Sequence, residues 1–495
     1  MEERFLALDM GAESGRGVVG TLAGDRLRLD EVHRFPNRPV RLGDTLYWDL
    51  PGLHAEQVVA IGRAAAAGRG PLAGIGVDTW GVDYGLLGEG GGLVGLPVHY
   101  RDARTNGAPE RVFGRVSRER VFERTGIQVM AINTLFQLAA AVERTPRLLE
   151  AADTLLFMPD LFHYLLTGRA AVEFTIATTS QMLDPRTGDW AADMLRELGL
   201  PAHLLGPVVP PGTEYGSLLP AVADATGAGP VSVTAPAGHD TACAVAAVPA
   251  AGGDGWAYLS SGTWSLLGVE AAAPVINAET ADANFTNEGG VDGTFRLLKN
   301  IGGLWLVQEC RRAWARSGRA QSYEEMAAAA GDAAPLAALV DPDDPSLLAP
   351  PDMPAALRDL CLASGQTPPD TVGGTVRCAL DSLALKYRWT LERLERITGR
   401  PIHTLHIVGG GSQNTLLNQL AADATGRRVL AGPVEATAIG NVLLQAKAQG
   451  RLGSLADLRA VVRASFPVTT FEPSPDNRAR FDEAYPRFRD LVAGG

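Results

Sequence analysis

A turn rich in glycine and small polar residues occurs twice, each time between two apolar segments, at Asp9–Arg16 and at Ser260–Ser265. Gly11 and Gly262 lie about half of the 495-residue chain apart. Turns of this kind leave backbone N–H groups unpaired near solvent, and such groups bind phosphate oxygens without a cationic side chain. Two of them, one in each half, predict a nucleotide clamped between two related domains.

Only the first turn has a carboxylate where its leading apolar segment ends, at Asp9. Mg²⁺ keeps most of its hydration shell and takes few protein carboxylates. This asymmetry predicts that Asp9 holds Mg²⁺ through water beside the phosphates.

The same glycines also match a dinucleotide-binding pattern, at Gly15–Gly20. In that fold the glycines open a long helix. Here Val18–Leu22 is β-rich and stops at a turn, after which Leu27–Val32 continues as another strand. The segment Phe5–His33 therefore favours a three-stranded meander with its first hairpin at the glycines, and NAD binding is the minor alternative.

Length and composition indicate a large α/β protein. A chain of 495 residues with 46% hydrophobic content can form two substantial cores. We place the domains at 1–250 and 251–495, with the boundary in Gly252–Gly255. A net charge of −12 argues against nucleic acid and anionic membranes as partners. The N-terminus has no signal-peptide pattern, so we expect a cytoplasmic protein. We expect it to be a monomer or a homodimer.

Periodicity and turn signals predict elements further along the chain. They are a helix over Leu53–Ala67, a strand over Ile75–Tyr84, an Ala-rich helix near Asp240, a long helix over Val376–Thr398 and a strand over Thr404–Val408.

Neither a lysine phosphate loop nor a zinc motif is present. The lysines, Lys299, Lys386 and Lys447, do not follow a glycine-rich loop, so a nucleotide must be held by backbone donors and metal. No Cys-x-x-Cys occurs. Cys361 and Cys378 bracket a loop and could pair, but a reducing cytoplasm favours free thiols.

Three consecutive glycines, Gly409–Gly411, follow the predicted strand Thr404–Val408, and Ser412 is suited to cap the next helix. A flat backbone surface beside a helix N-terminus can lie against an adenine or a ribose, although a tight turn without a ligand is also possible. A later helix near Pro433 carries Ala436, Ala438 and Gly440, whose small size predicts a close contact between the domains.

Several longer strings resemble the FGGY family of carbohydrate kinases, which share the two-domain fold of actin and hexokinase. The similarity extends from about Phe5 to Leu444, and it is strongest to the branch of the family that acts on L-rhamnulose. The strings that carry it are Asp78–Asp83, Tyr100–Gly107, His239–Thr241, Thr286–Gly290, Lys299–Leu306 and Gly432–Thr437.

The resemblance implies an α/β fold of the actin/hexokinase (ribonuclease H-like) type and ATP-dependent phosphate transfer to carbon 1 of L-rhamnulose, with Mg²⁺. It implies that Asp240 is the general base for the attacking sugar hydroxyl, a role that phosphoryl transfer requires of an oriented carboxylate. Without that context, an Asp before a helix is more often an N-cap.

The resemblance also assigns ligand contacts. It places Gly81, His239, Asp240, Thr241 and Asn300 on the sugar, with Asp78, Asp83, Trp80, Arg101 and Arg104 shaping the pocket. It places Ala12, Glu13, Ser14, Gly15, Arg16, Thr263, Gln308 and Gly410 on the nucleotide. Trp80 is equally compatible with a core position.

One departure concerns the first turn, where many family members carry Thr or Ser instead of Ala12 and Glu13. A carboxylate facing a triphosphate would repel it, so Glu13 must point outward or pair with Arg16. The alternatives that remain are a kinase for another ketose such as L-fuculose, and an actin-like ATPase without a sugar substrate.

Overall fold

The computed structural model describes residues 2–68, 70–253 and 255–493. The chain divides into two compact units. The first consists of the chain up to Ala251 together with Glu270–Leu297 and Ala436–Ser465, and the second contains Gly252–Val269, Leu298–Glu435 and the chain from Phe466 onward. None of the helices in the described part of the chain is both long and apolar enough to span a lipid bilayer.

The strands are β1 (Glu2–Met10), β2 (Ser14–Ala23), β3 (Arg26–Pro36), β4 (Val40–Leu42), β5 (Thr45–Tyr47), β6 (Gly74–Thr79), β7 (Tyr84–Leu87), β8 (Thr154–Phe157), β9 (Val172–Glu173), β10 (Leu183–Asp184), β11 (Asp189–Trp190), β12 (Val208–Val209), β13 (Thr213–Ser217), β14 (Ser232–Ala235), β15 (Trp256–Ser261), β16 (Trp264–Ala271), β17 (Thr286–Gly289), β18 (Phe295–Gly302), β19 (Thr404–Val408), β20 (Arg428–Ala431) and β21 (Thr469–Phe471).

The helices are α1 (Leu50–Ala66), α2 (Ala108–Phe113), α3 (Arg118–Thr125), α4 (Thr134–Arg144), α5 (Pro146–Glu150), α6 (Met158–Thr167), α7 (Phe174–Thr178), α8 (Ala192–Glu197), α9 (Pro220–Thr226), α10 (Asp240–Ala246), α11 (Ala278–Asp282), α12 (Trp305–Arg316), α13 (Tyr323–Asp332), α14 (Met353–Ala363), α15 (Val372–Thr398), α16 (Thr415–Thr425), α17 (Ala436–Ala448), α18 (Leu455–Ser465) and α19 (Pro475–Ala493).

A six-stranded mixed sheet organises the first unit, in the order β13-β14-β6-β1-β2-β3. Within it β1, β6 and β14 run parallel, and β2 and β3 form the antiparallel meander with β1. The apolar run Phe5–Leu8 is fully buried because helices, including α1 and α17, cover the sheet.

A seven-stranded sheet, most of whose strands lie in the second unit, has the order β17-β18-β16-β15-β19-β20-β21. Here too an antiparallel hairpin, β15 with β16, lies beside a parallel neighbour, β19. Each unit therefore contains a hairpin whose first strand has a parallel neighbour.

The structure confirms the meander, because β1, β2 and β3 pair in sequence with Met10 opposite Gly15. The dinucleotide alternative is wrong, since Ser14–Ala23 is a strand and no helix follows the glycines. The strand Thr404–Val408 is observed as predicted.

Several predicted boundaries shift. The helix predicted over Leu53–Ala67 spans Leu50–Ala66, with Asp49 accepting a hydrogen bond from the backbone N–H of Gly52 as its N-cap. The long helix begins earlier, at Val372. The strand predicted to reach Tyr84 ends at Thr79, and Tyr84 starts a separate strand.

Of the two predictions about the small-residue segments, the cap at Ser412 is wrong. Ser412 lies within the short 3₁₀ helix Gly410–Gln413, and Asn414 caps α16 by accepting from the backbone N–H of Leu417. Gly440 allows a close approach, as predicted. The backbone it meets is that of Cys243 in α10, which lies in the predicted first domain (1–250), although the packing of α17 places both helices in the same compact unit. A Cβ at position 440 would lie 1.9 Å from the Cys243 carbonyl oxygen.

The packing of α17 explains why the first unit is not one continuous stretch of chain. This helix packs on α10, β1 and β6, so Ala436–Ser465 joins the first unit by contacts. The chain first changes units at 251/252, immediately before the predicted boundary Gly252–Gly255, of which Asp254 lies outside the described residues. The four cysteines are free thiols, as expected.

Candidate active site

The carboxyl ends of three parallel strands, β1, β6 and β14, converge at one edge of the first sheet. Asp9 pairs in register with Asp78 on the neighbouring strand. Gly81 follows β6, and His239 forms an isolated parallel bridge with Thr79. Loops at the carboxyl ends of such strands are the usual ligand site of an open α/β sheet. The predicted residues of the first unit therefore gather at this edge.

Asp9 and Arg16 face each other across the first hairpin and form an ion pair. Both side chains are largely buried. Asn37 makes two hydrogen bonds to the turn between them. Its side-chain Nδ2 donates to the Gly11 carbonyl at 2.9 Å, and its backbone N–H donates to the Glu13 carbonyl at 3.0 Å. Two hydrogen bonds from Asn37 therefore hold the turn that was predicted to bind phosphate.

The residues predicted for the nucleotide in this turn are placed as follows. Ala12 and Glu13 form the loop, Ser14 begins β2, and Gly15 lies opposite Met10. The Oε1 atom of Glu13 is buried, while the residue as a whole is half-buried.

Asp78, on the neighbouring strand, is a fully buried carboxylate at this edge. The side-chain amide of Asn441 in α17 donates to its Oδ2 at 2.6 Å, whereas its Oδ1 is buried without a hydrogen-bond partner. Burial raises the pKa of Asp78 well above its usual value, and the nearby charge of Asp9 adds to this effect. Sequence reasoning missed Asn441, although two amides one turn apart in an apolar helix, Asn441 and Gln445, were a usable signal.

Asp240 is the first residue of α10, and His239 occupies the N-cap position. The carboxylate of Asp240 therefore does not act as the N-cap. Instead, its Oδ1 accepts hydrogen bonds from the backbone N–H and, at 3.1 Å, the hydroxyl of Thr241. Although 28% of the Asp240 side chain is exposed, burial around the carboxyl raises its pKa. The nearby His239 lowers this pKa, and the charge of Asp9 raises it further.

His239 belongs to a buried charged cluster. Its Nε2 lies 3.4 Å from Asp240 Oδ1, and its Nδ1 lies 3.2 Å from Glu288 Oε2 and 3.1 Å from Arg296 Nη2. Arg296 is fully buried and also donates from Nε to the Gly289 carbonyl at 2.8 Å. These contacts hold the imidazole ring with one nitrogen toward Asp240 and the other toward Glu288 and Arg296.

Glu288 and Arg296 were not predicted as site residues. Glu288 lies in the string Thr286–Gly290 that carried the family resemblance, but its residue type alone gives no role. Arg296 had no sequence signal, because a single arginine in a strand is common.

A second group of buried polar side chains surrounds Asp83. The indole N–H groups of Trp48 and Trp80 donate to its Oδ2 at 2.6 and 3.0 Å, and Gln137 donates to its Oδ1 at 2.8 Å. Burial raises the pKa of Asp83 to about 6. Trp80 is buried and hydrogen-bonded to this carboxylate. It therefore lies in the core, which was the alternative to a position in the wall of the sugar pocket.

In the second unit the other glycine turn joins β15 to β16, and Ser261 lies opposite Ser265. The backbone N–H groups of Leu304 and Trp305, at the start of α12, donate to the carbonyls of Gly262 and Thr263 at 3.1 and 3.0 Å. Ser265, at the end of this turn, also shares a hydrogen bond of 2.8 Å between its Oγ and the hydroxyl of Tyr387.

The remaining predicted residues of the second unit surround this turn. The parallel pairing of β15 with β19 brings the triple glycine beside it, and a Cβ at Gly411 would lie 2.0 Å from Ser261 Oγ. Gly410 is exposed with open space above it. Gln308 lies on α12 with its Oε1 buried and without a hydrogen-bond partner. Asn300 lies in β18, a sheet neighbour of β16.

Comparisons with known proteins identify the family of this chain. Residues 52–247 match the N-terminal domain, and residues 257–449 the C-terminal domain, of the FGGY family of carbohydrate kinases. A protein named rhamnulokinase from Bacteroides thetaiotaomicron is 46% identical over 492 residues, which cover 99% of this chain and 100% of that protein. Another rhamnulokinase, from Pectobacterium carotovorum subsp. carotovorum, is 42% identical over 96% of this chain and 94% of its own length.

Solved structures show the same fold at low sequence identity. A ligand-bound xylulose kinase from Lactobacillus acidophilus superposes with a TM-score of 0.82 at 13% identity, covering 99% of this chain and 98% of its own. Glycerol kinase from Plasmodium falciparum, solved with ADP, gives a TM-score of 0.78 at 14% identity, with 99% and 98% covered. The predicted two-domain α/β fold of the actin/hexokinase type is thereby confirmed.

Proposed function

Because this chain belongs to the FGGY family of carbohydrate kinases, we propose that it transfers the γ-phosphate of ATP to the carbon-1 hydroxyl of L-rhamnulose, giving L-rhamnulose 1-phosphate and ADP. The observation that carries the proposal is the full-length similarity to proteins named rhamnulokinase, 46% identical over 99% of this chain in one case. A cytoplasmic location and a monomeric or homodimeric state belong to the same proposal.

In this proposal Asp240 accepts the proton of the attacking sugar hydroxyl. Its raised pKa makes the carboxylate a stronger base than an exposed aspartate, as a general base requires. The Thr241 hydroxyl donates to Oδ1 and so orients the carboxylate. We propose that the His239 ring, held by Glu288 and Arg296, contacts a sugar hydroxyl beside it, while Gly81 lets the sugar approach the backbone.

The donor set at the end of β1 fits a Mg²⁺ ion. Asp9 and Asp78 are neighbours in register, and the buried Oδ1 of Asp78 has no hydrogen-bond partner. Within residues 2–68, 70–253 and 255–493, no three His, Cys, Asp or Glu side chains converge as a ready-made metal site. Mg²⁺ needs no such site, because water and substrate phosphates supply most of its ligands. Asp9 would hold the ion, which neutralises charge on the transferred phosphate when bound.

For the nucleotide we propose two sets of contacts. The loop residues Ala12 and Glu13 offer backbone donors to the phosphates, and Ser14, Gly15 and Arg16 flank that loop at the start of β2. Thr263 is a further proposed phosphate contact. Gln308, whose Oε1 is buried without a partner, and Gly410, whose surface is open, are suited to the nucleoside. We retain Asn300 as a sugar contact.

The proposal is tested by assaying ADP release with Mg²⁺ and ATP against L-rhamnulose, L-fuculose, D-xylulose and glycerol, and without a sugar. We expect the highest kcat/KM with L-rhamnulose and formation of its 1-phosphate by mass spectrometry and NMR. A higher kcat/KM with L-fuculose would reassign the substrate. ATP hydrolysis that no sugar stimulates would favour an actin-like ATPase instead.

A further inference from the structure

A short buried segment connects the loops of the first unit that carry the proposed sugar site. We call Glu173–Thr179 the anchor segment; it comprises the last residue of β9, all of α7 and the residue that follows. Its polar side chains, at Glu173, Thr175, Thr178 and Thr179, are all buried. Buried polar groups need partners, and these find them on three different loops.

The first loop precedes Asp240. The Glu173 carboxylate accepts from the backbone N–H of Gly238 at 2.9 Å, and the Thr175 hydroxyl accepts from that of His239 at 3.2 Å. The Thr175 hydroxyl in turn donates to Glu173 Oε2 at 2.6 Å. Both backbone donors that immediately precede Asp240 therefore end on the anchor segment.

The second loop carries Glu288. The Thr178 hydroxyl accepts from the backbone N–H of Gly289 at 2.8 Å. Phe174 packs on the same glycine, because a Cβ there would lie 2.6 Å from its ring. The position of Gly289 sets that of Glu288, whose carboxylate lies against His239.

The third loop carries Gly81. The Thr179 hydroxyl accepts from the backbone N–H of Val82 at 3.1 Å, and its side chain lies 3.3 Å from where a Cβ on Gly81 would be. Val82 has φ = 67°, a left-handed conformation that β-branched residues rarely adopt. Such strain persists only where the surroundings hold it. The Val82 carbonyl is held as well, by the Thr134 hydroxyl at 2.6 Å.

We propose that the anchor segment is a positioning element for the sugar site, in which Thr175, Thr178 and Thr179 each set the place of one substrate-facing loop. This inference rests on the proposed sugar kinase function. It assigns these threonines no contact with substrate: each hydroxyl acts by satisfying one backbone N–H that would otherwise be buried unpaired. Loss of one of these hydrogen bonds would let the loop shift, and even a small shift of the groups around a reacting hydroxyl lowers the rate steeply.

The test replaces each threonine with Val, which keeps the shape and removes the hydroxyl, and with Ser, which keeps the hydroxyl. We expect Thr178→Val and Thr179→Val to raise the KM for L-rhamnulose about tenfold or more with the ATP KM within about twofold, since each leaves a buried donor unsatisfied. Thr175→Val, next to the base, should mainly lower kcat, by a similar factor. The Ser variants should recover most of each loss.

The matched control is Thr390→Val. Thr390 is fully buried in α15, and its hydroxyl bonds to the Lys386 carbonyl of its own helix at 2.8 Å. It should lower the Tm without changing the KM for the sugar. If the three anchor variants behave like Thr390→Val, or if Val and Ser variants are equivalent, the threonines are ordinary core residues and the inference is wrong.

A second measurement does not depend on the substrate. In hydrogen exchange, Thr178→Val should speed exchange of the peptide over 285–292 and leave that over 80–86 unchanged, and Thr179→Val should do the reverse. Uniform acceleration of both peptides would overturn the assignment of one loop to each threonine. If instead this pattern holds but the wild type phosphorylates no ketose, the proposed function fails while the loop anchoring stands.

Discussion

The two glycine turns have the same local design and differ in what holds them. Each is a hairpin turn next to a parallel strand, with Met10 opposite Gly15 in one and Ser261 opposite Ser265 in the other. The first is surrounded by charge, from the Asp9–Arg16 ion pair and the nearby Asp78. The second is held by backbone N–H groups of α12. We therefore expect Mg²⁺ binding and proton transfer to take place in the first unit.

Their glycines differ in a second way. A Cβ at Gly15 would lie 2.2 Å from the buried Phe35 ring, so the packing of the first hairpin requires glycine there. At Gly262 a Cβ would meet only the Trp264 carbonyl oxygen, at 4.0 Å, and φ is not in the left-handed region. Among the described residues, no contact requires glycine at 262, and the backbone there is open on the side where we propose that the nucleotide lies.

The largest expected effect tests whether proton transfer belongs to the first unit. Asp240→Asn keeps the size of the side chain and removes its basicity, so kcat should fall by about 10²- to 10⁴-fold while ATP and sugar still bind. Steady-state kinetics and titration calorimetry measure the two quantities. Asp476→Asn, an exposed Asp in the first turn of α19, is the control. Wild-type turnover in the Asp240→Asn variant would exclude a catalytic role.

The next effect concerns the charge at the first turn. Asp9→Asn removes the carboxylate proposed to hold Mg²⁺ through water, so the Mg²⁺ concentration for half-maximal activity should rise about 10- to 100-fold. A Mg²⁺ titration at saturating ATP measures it. Asp30→Asn, which breaks an exposed Arg28–Asp30 pair on β3, should leave it unchanged. Equal Mg²⁺ dependence in both variants would contradict the proposed metal site.

At the second turn, Gly262→Val should raise the ATP KM about tenfold or more with the fold retained, because the site has room for a side chain only when no nucleotide occupies it. Gly262→Ala should give a smaller change in the same direction. Kinetics and circular dichroism check the two parts. Gly331→Val, at an open position in α13, is the control for the added bulk. Normal ATP affinity in a folded Gly262→Val protein would remove this turn from the nucleotide site.

The smallest effect is a loss of stability. Gly15→Ala should destabilise the first unit by about 1–3 kcal/mol, as overpacking of a core does, which lowers the Tm by several degrees. Differential scanning calorimetry measures it. Adding Phe35→Leu should recover part of the loss by making room for the new methyl group. If Gly15→Ala leaves the Tm unchanged, the contrast between the two glycines is lost.

Local patterns were sufficient for much of the fold. Short-range turn chemistry and apolar runs determined the meander at β1–β3 and the strand Thr404–Val408, since both depend on neighbouring residues. Cap positions were less certain: Ser412 and Asn414 are both good N-caps, and only the observed 3₁₀ turn selects Asn414. The proposed role of Asp240 came from family resemblance, because its residue type alone suggested a cap.

The sequence by itself determined the two turns, their hairpins and the class of chemistry that the motifs resemble. Tertiary structure alone decided which distant side chains complete the site. Asn441 bonds to Asp78 across 363 residues, Arg296 reaches His239 across 57, and Glu173 holds Gly238 across 65. Such contacts depend on which strands become neighbours and in what register, and that is set by burial of whole sheets and helices, which no local propensity encodes.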